Sequence, residues 1–204
     1  MHAPRPHDLL WGLSAAALPE EAPAWAHRVL RDGHPVVVRR AIASDGNVAV
    51  GLRGDGREQR LACEMALAAI VRQVSPEALR GEQVATLPPL LALGHVAAVL
   101  DSTGLAWGPT GGTGYQLATG VAVLHADSDL DLLLRTPGPI ERPQARALLD
   151  ALDQGPCRID VQLETPAGAI ALREWAGSAA RVLLKSSTGA RLVANPWLEQ
   201  ERRG

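Results

Sequence analysis

The sequence predicts an α/β or α+β protein with a mixed sheet, preceded by a smaller α/β N-terminal region. Three observations predict it. Strand-like and helix-like runs alternate through the second half of the chain. The first half reads as one helix followed by strands. Pro, Gly and Asn/Asp stretches mark the breaks between them.

In the first half, "PAWAHRVLRDG" (23–33) is a short helix with Pro at its start and Gly at its end. "HPVVVRRAI" and "NVAVGLRG" read as strands separated by the turn "SDGN". "RLACEMALAAIVRQV" fits a strand running into a helix, and periodicity alone does not separate the two. "SPEALRG" is a helical turn or two, with Ser75 as N-cap, Pro76 at the first position and Gly81 as the stop. The pattern breaks in "GEQVATLPP", so the expected domains are 1–85 and 86–204. The second domain then runs helix 87–104, Gly-rich turn, strand 128–134, helix 141–152, strand 157–164, helix 168–177, and strands 181–185 and 190–194. No repeat or low-complexity tract interrupts this order.

Over 204 residues, 47% are hydrophobic, ample for a core. A formal net charge of −2 and a pI near 6.3 give no field that would draw nucleic acid or an anionic membrane. No apolar run spans a bilayer and the N-terminus lacks signal-peptide features, so the expected compartment is the cytoplasm. Cys63 and Cys157 have neither metal-ligand nor disulfide spacing and read as small buried residues. Of 20 basic residues all but Lys185 are Arg.

The chemistry concentrates in "GYQLATGVAVLHADSDLDLLLR" (114–135) and its surroundings. On a strand, Asp129 and Asp131 share one face while Leu130, Leu132 and Leu134 line the other. Two such charges repel by on the order of 3 kcal/mol at an effective dielectric near 20. A bound cation, a shared proton or a paired Arg would offset this, and a solvated strand end is the plain alternative. Upstream, "WGPTGGTGYQLATG" interleaves Gly108, Gly111, Gly112 and Gly114 with Thr110 and Thr113. Such a stretch is either a tight turn or a set of backbone amides able to cradle phosphate oxygens. It is neither a dinucleotide fingerprint, since Leu117 stands where the third Gly belongs, nor a P-loop, which needs a Lys. Downstream, Asp160 lies between Ile159 and Val161 and calls for a partner, either Arg158 or Arg135 or a metal ion. A Gly-rich turn, an Asp-x-Asp strand and a third Asp together describe a two-metal phosphoryl or nucleotidyl transfer site, for which oxygen ligands suit Mg²⁺.

That order resembles the nucleotidyltransferase superfamily of the DNA polymerase β type. The longer stretches "RPHDLLW", "WGPTGGTGYQLATG", "SDLDLLLR", "IDVQLETPAGAIAL" and "ANPW" look like the malonate decarboxylase holo-acyl-carrier-protein synthase, or phosphoribosyl-dephospho-CoA transferase, family. The resemblance covers nearly the whole chain and implies an α+β, nucleotidyltransferase-like fold. It also implies transfer of the 2'-(5''-triphosphoribosyl)-3'-dephospho-CoA group to a serine of the acyl-carrier-protein subunit of malonate decarboxylase, with pyrophosphate released. The resemblance assigns the metal-binding pair to Asp129 and Asp131, the third acid to Asp160, and the phosphate turn to Gly111 and Gly112. Gly112 stands where the superfamily has Ser, so a hydroxyl toward the phosphates falls to Thr110 or Thr113. Asp160 is expected chiefly as a metal ligand, with a secondary role as base.

Lys185 ends "RVLLK", a strand that could neighbour the Asp160 strand, and is a candidate phosphate contact beside its reading as a surface Lys. Arg53, Arg57 and Arg60, with Arg39 and Arg40, form a candidate face for carrier protein or donor, beside the reading as edge-protecting charge. His7-Asp8 in "RPHDLLW" is expected to cap a first helix over Trp11. Two rival functions remain: a nucleotidyltransferase with another small-molecule or protein acceptor, and a non-enzymatic adaptor for carrier protein.

Overall fold

The computed structural model describes residues 2–54, 56, 58–80 and 86–198. By contact the chain divides into two units, Met1–Ser75 with Ala118–Gly120, and Pro76–Leu117 with Val121–Gly204. Both carry a sheet with helices, and the architecture is α+β.

In the first unit, β1 (Leu9–Trp11), β2 (Val36–Val38), β3 (Asn47–Arg53), β4 (Arg60–Ala66) and β5 (Arg72–Val74) form one antiparallel sheet of order β4-β3-β2-β1-β5. Helix α1 (Ala24–Arg31) buries Ala26 and Val29 in a core with Leu10, Val36, Val38, Val50, Leu52 and Met65. The ambiguous run 60–74 holds no α-helix. It becomes β4, a 3-10 turn at Leu67–Ala69, and β5. Its period-2 alternation decides the outcome, with Leu61, Cys63 and Met65 turned inward and Arg60, Ala62 and Glu64 outward.

His7-Asp8 does not cap a helix, because β1 follows it directly. Asp8 is fully buried, accepts hydrogen bonds from the Arg5 amide (2.9 Å) and Gln73 Nε2 (2.7 Å), and lies 3.3 Å from His2 Nε2. It therefore ties β5 and the N-terminal segment together, which is how a buried carboxylate is made tolerable.

In the second unit, β6 (Trp107–Pro109), β7 (Leu130–Arg135), β8 (Ile159–Thr165), β9 (Gly168–Ala171), β10 (Val182–Ser186) and β11 (Gly189–Val193) form a mixed sheet of order β11-β10-β9-β8-β7-β6. Only β7 and β8 run parallel, joined through α4 (Arg142–Leu152); the other neighbours are antiparallel. Helix α4 starts on a capping box in which Glu141 and Gln144 bond each other's backbone. With α2 (Pro88–Ser102) and α5 (Leu172–Trp175) it covers one sheet face. There Leu130, Leu132 and Leu134 of β7 meet Ile159, Val161 and Leu163 of β8, Val96, Leu100, Leu149 and Trp175.

Two elements differ from the sequence expectation. The stretch 168–177 is not one helix but β9 followed by the single turn α5. Thr165 and Gly168 are register partners around the two-residue turn Pro166-Ala167, and Thr165 Oγ1 donates to the Gly168 carbonyl (2.9 Å). This hairpin overrides the helix propensity of "AGAIALREW". The Gly-rich stretch is not only a turn, since it contains β6 and a nine-residue helix α3 (Gly111–Thr119). Glycine there serves close approach: a Cβ on Gly108 would stand 2.0 Å from the Pro76 carbonyl oxygen. The 3-10 turn Pro76–Leu79 accordingly packs on β6 and belongs to the second unit.

The other sheet face is polar. It presents Asp131, Leu133 and Arg135 from β7 and Asp160, Gln162 and Glu164 from β8, by the alternation of each strand. Arg135 Nε donates to Glu77 Oε1 at 2.8 Å, a largely buried ion pair that ties β7 to the Pro76–Leu79 turn. The partner anticipated for Asp160 is thus not Arg135.

Candidate active site

The site is built where β7 and β8 begin. Because the two strands are parallel and in register, Asp131 stands directly opposite Asp160 on the polar face, with Cα atoms about 4.8 Å apart by strand spacing. Asp131 is the only exposed residue of β7; every neighbour in the strand is buried. Asp160 is half-buried. Asp129 lies one residue before β7 and is exposed. Its charge also acts on Cys157, whose thiol is pushed up chiefly by burial and further by Asp129. Cys157 and Cys63 are free thiols, half-buried rather than core.

The start of α3 closes the other side. Thr110 N–H donates to the Asp131 carbonyl (2.8 Å), which extends the β6–β7 ladder to the helix start. Gly111 follows with φ of +57°, and a Cβ there would fall 2.0 Å from Asp131 Oδ2. Only glycine meets both demands: the left-handed backbone and a carboxylate resting on the Cα. The first amides of α3 lack intrahelical partners and carry the positive end of the helix dipole, so an anion is stabilised there. Gly112 is half-exposed beside Gly111, whereas Thr110 and Thr113 are buried. Thr113 Oγ1 has no hydrogen-bond partner among the described residues.

The long gap between the glycines and the Asp pair is also accounted for. It comprises α3 and a loop that folds back, where Gln116 Oε1 accepts from the amides of Val123 (2.9 Å) and Leu124 (3.0 Å). A short turn follows, in which Ser128 Oγ accepts from the His125 amide (3.1 Å). The loop thereby delivers Asp129 and Asp131 to the glycines.

Among the described residues, Arg158 and Arg173 border the acids. Arg158 Nε and Nη2 both reach Asp160 Oδ1 at 3.1 Å. Arg173 of α5 forks onto Asp153, at the end of α4, with bonds of 2.9 and 2.7 Å. That fork holds the Asp153 carboxyl below the ordinary aspartate value and raises Arg173, on which Asp160 exerts a smaller pull in the same direction. Arg158 was legible as a counter-ion. Arg173 and Asp153 were not, because their proximity to Asp160 depends on α5 following β9, where a longer helix was expected.

Among the described residues, no group of three or more His, Cys, Asp or Glu side chains forms a metal cluster by itself. The donor set still suits Mg²⁺, which takes one or two carboxylates and completes its shell with water and substrate phosphates. The carboxylates of Asp131 and Asp160 stand on paired strands beside an anion-favouring helix start.

The remaining candidates lie elsewhere. Lys185 is exposed on the polar face, but β10 pairs with β9, so two strand spacings separate it from the Asp160 strand; the expectation of adjacency is corrected. In the first unit Arg53 and Arg60 are direct cross-strand partners, both exposed, and neither forms an ion pair among the described residues. Arg57 lies outside the described residues.

Residues 71–196 match the phosphoribosyl-dephospho-CoA transferase MdcG C-terminal domain and residues 5–76 its N-terminal domain. A phosphoribosyl-dephospho-CoA transferase of Pseudomonas putida (strain W619) is 70% identical over 197 residues, covering 97% of both chains. One from Pseudomonas putida (strain GB-1) is 66% identical over 99% of each chain. That of Azotobacter vinelandii (strain DJ / ATCC BAA-1303) is 61% identical over 96% of this chain and 95% of its own. No solved structure matches. Both domains match in order, and the relatives align along almost their full length, so the chain belongs to the phosphoribosyl-dephospho-CoA transferase family.

Proposed function

We propose that this chain transfers the 2'-(5''-triphosphoribosyl)-3'-dephospho-CoA group to a serine of the acyl-carrier-protein subunit of malonate decarboxylase. As a family member it is an enzyme and a transferase. The carrier serine Oγ attacks the α-phosphorus, the bond from that phosphorus to the bridging oxygen breaks, and pyrophosphate leaves, giving a phosphodiester. The observation that carries this reading is the opposition of Asp131 and Asp160 beside Gly111.

In this mechanism Asp131 and Asp160, with Asp129 just before β7, would hold Mg²⁺, which would supply charge neutralisation for the triphosphate and the leaving pyrophosphate. The amides of Gly111 and Gly112 bind the β and γ phosphates at the start of α3. With Thr113 buried, this grip is mainly backbone. Asp160 is a metal ligand first and a proton acceptor for the serine second. Lys185 adds long-range positive charge on the same sheet face. Arg53 and Arg60 place two like charges side by side at a hairpin end, which an acidic carrier surface would offset. No helix among the described residues is long and apolar enough to cross a membrane.

The test is labelled donor incubated with purified apo carrier subunit, Mg²⁺ and this chain, scored for label on the carrier and for pyrophosphate. Stoichiometric transfer is expected. Pyrophosphate release without carrier labelling would point to another acceptor, and neither product would remove the reading.

A further inference from the structure

Arg158 is the residue just before β8, and Asp160 is the second residue of that strand, so the alternation of an extended chain turns both side chains to the polar face. One edge of the guanidinium, Nε and Nη2, closes on a single oxygen, Oδ1. The two side chains are 63% and 39% exposed, so the contact is weak and easily exchanged. Arg173 differs, since both of its terminal nitrogens are committed to Asp153 in a bidentate fork. Between Arg158 and Arg173, Arg158 is the one able to change partners.

We propose that Arg158 is a phosphate-binding residue of the donor site, and that in the unliganded chain it rests on Asp160, the carboxylate that would hold the divalent cation. This rests on the reading that Asp131 and Asp160 bind a cation. A guanidinium on Asp160 Oδ1 offsets the repulsion between the facing carboxylates while no ion is present. Once a divalent ion takes that oxygen, the two cations repel and Arg158 is released. The anion within reach is then the polyphosphate that the ion gathers, and a planar fork of N–H donors matches phosphate oxygens. Arg158 therefore competes with the metal when donor is absent and cooperates with it when donor is present.

The two roles predict opposite signs for one substitution. Mn²⁺ binding to the full chain is measured by electron paramagnetic resonance without donor, and pyrophosphate binding by calorimetry with Mn²⁺ saturating. Arg158→Gln is expected to tighten Mn²⁺ binding roughly threefold or more, because its competitor is gone, and to weaken pyrophosphate binding by about tenfold or more. Arg158→Lys is expected to recover only part of the pyrophosphate affinity, since an ammonium lacks the fork. Circular dichroism melting checks that both variants fold as the parent does. If Asp131→Asn abolishes Mn²⁺ binding but Arg158→Gln leaves both affinities unchanged, or weakens both, the exchange is overturned and the cation site stands. If Mn²⁺ binding survives Asp131→Asn unaltered, the cation reading falls and the exchange falls with it.

Discussion

Asp131 on β7 and Asp160 on β8 are register partners in the one parallel strand pair of their sheet, so two carboxylates meet from opposite ends of the α4 crossover. Conversion of either to Asn removes a charge from a solvent-accessible position, so stability should stay within about 0.5 kcal/mol. Transfer should fall by on the order of 10³-fold, because a ligand acting on developing phosphate charge is lost. Single-turnover labelling of the carrier, alongside thermal melts, separates the two effects. A rate within tenfold of the parent for both variants would remove the acids from the mechanism.

Gly111 bears on the same carboxylate. In Gly111→Ala the new methyl must displace Asp131 Oδ2, from which it would be 2.0 Å away, and must also adopt φ of +57°. Gly120 has φ of +76° with nothing within 4 Å of its would-be Cβ, so Gly120→Ala carries the backbone strain alone. Each substitution should cost about 1 kcal/mol of stability from strain. Only Gly111→Ala should depress transfer, by about tenfold to a hundredfold, through the misplaced carboxylate. Equal rates for the two variants would show that the close approach has no catalytic consequence.

The strands of the second unit were legible because their apolar periodicity matches their burial: Leu130, Leu132 and Leu134 all enter the core, as alternation requires. Asp129, Asp131 and Asp160 were legible as chemistry because charges beside apolar strand residues need an explanation. What sequence did not carry was register. Nothing local states that β7 and β8 pair with Asp131 opposite Asp160, nor that β9 separates β10 from β8 and so distances Lys185. Helix α3 was hidden by its own glycines, whose low helix propensity is outweighed by tight packing such as that of Gly114 on the Pro109 carbonyl. Asp8 was misread because its partners, Gln73 and His2, are supplied by the tertiary fold.

The Arg135–Glu77 pair is expected to dominate the local stability of the polar sheet face. Its side chains are only 10% and 16% exposed, with Nε to Oε1 at 2.8 Å. Removing one partner leaves a charge buried, so Arg135→Met or Glu77→Leu should each cost about 3 kcal/mol, whereas the double variant should recover much of that loss. Urea unfolding of the four proteins gives the coupling. Additive losses would show that the two charges do not depend on each other.

Arg53 and Arg60, paired across the β3–β4 hairpin, should govern encounter with the carrier rather than chemistry. Reversing both to Glu should raise the apparent KM for carrier about tenfold at low salt and less at high salt, with donor KM unchanged. Relief of like-charge opposition in single Arg53→Gln should leave stability equal or slightly higher. A shift in donor KM instead would place the pair at the donor.

The Asp153–Arg173 fork sets a pH dependence whose sign is fixed. Arg173 donates two hydrogen bonds to Asp153 and holds its carboxyl below the ordinary value of 3.8. A carboxyl depressed in the folded state binds protons less readily there than in the unfolded chain. Its stabilising contribution is complete above 3.8 and is lost as pH falls through the lower folded value. Asp153→Asn should therefore lower the urea midpoint slightly at neutral pH and converge with the parent under strongly acidic conditions. Because both side chains are well exposed, the neutral-pH difference should be at most about 1 kcal/mol and should shrink with added salt. Parallel curves, offset equally at every pH, would show that the fork is not what depresses Asp153.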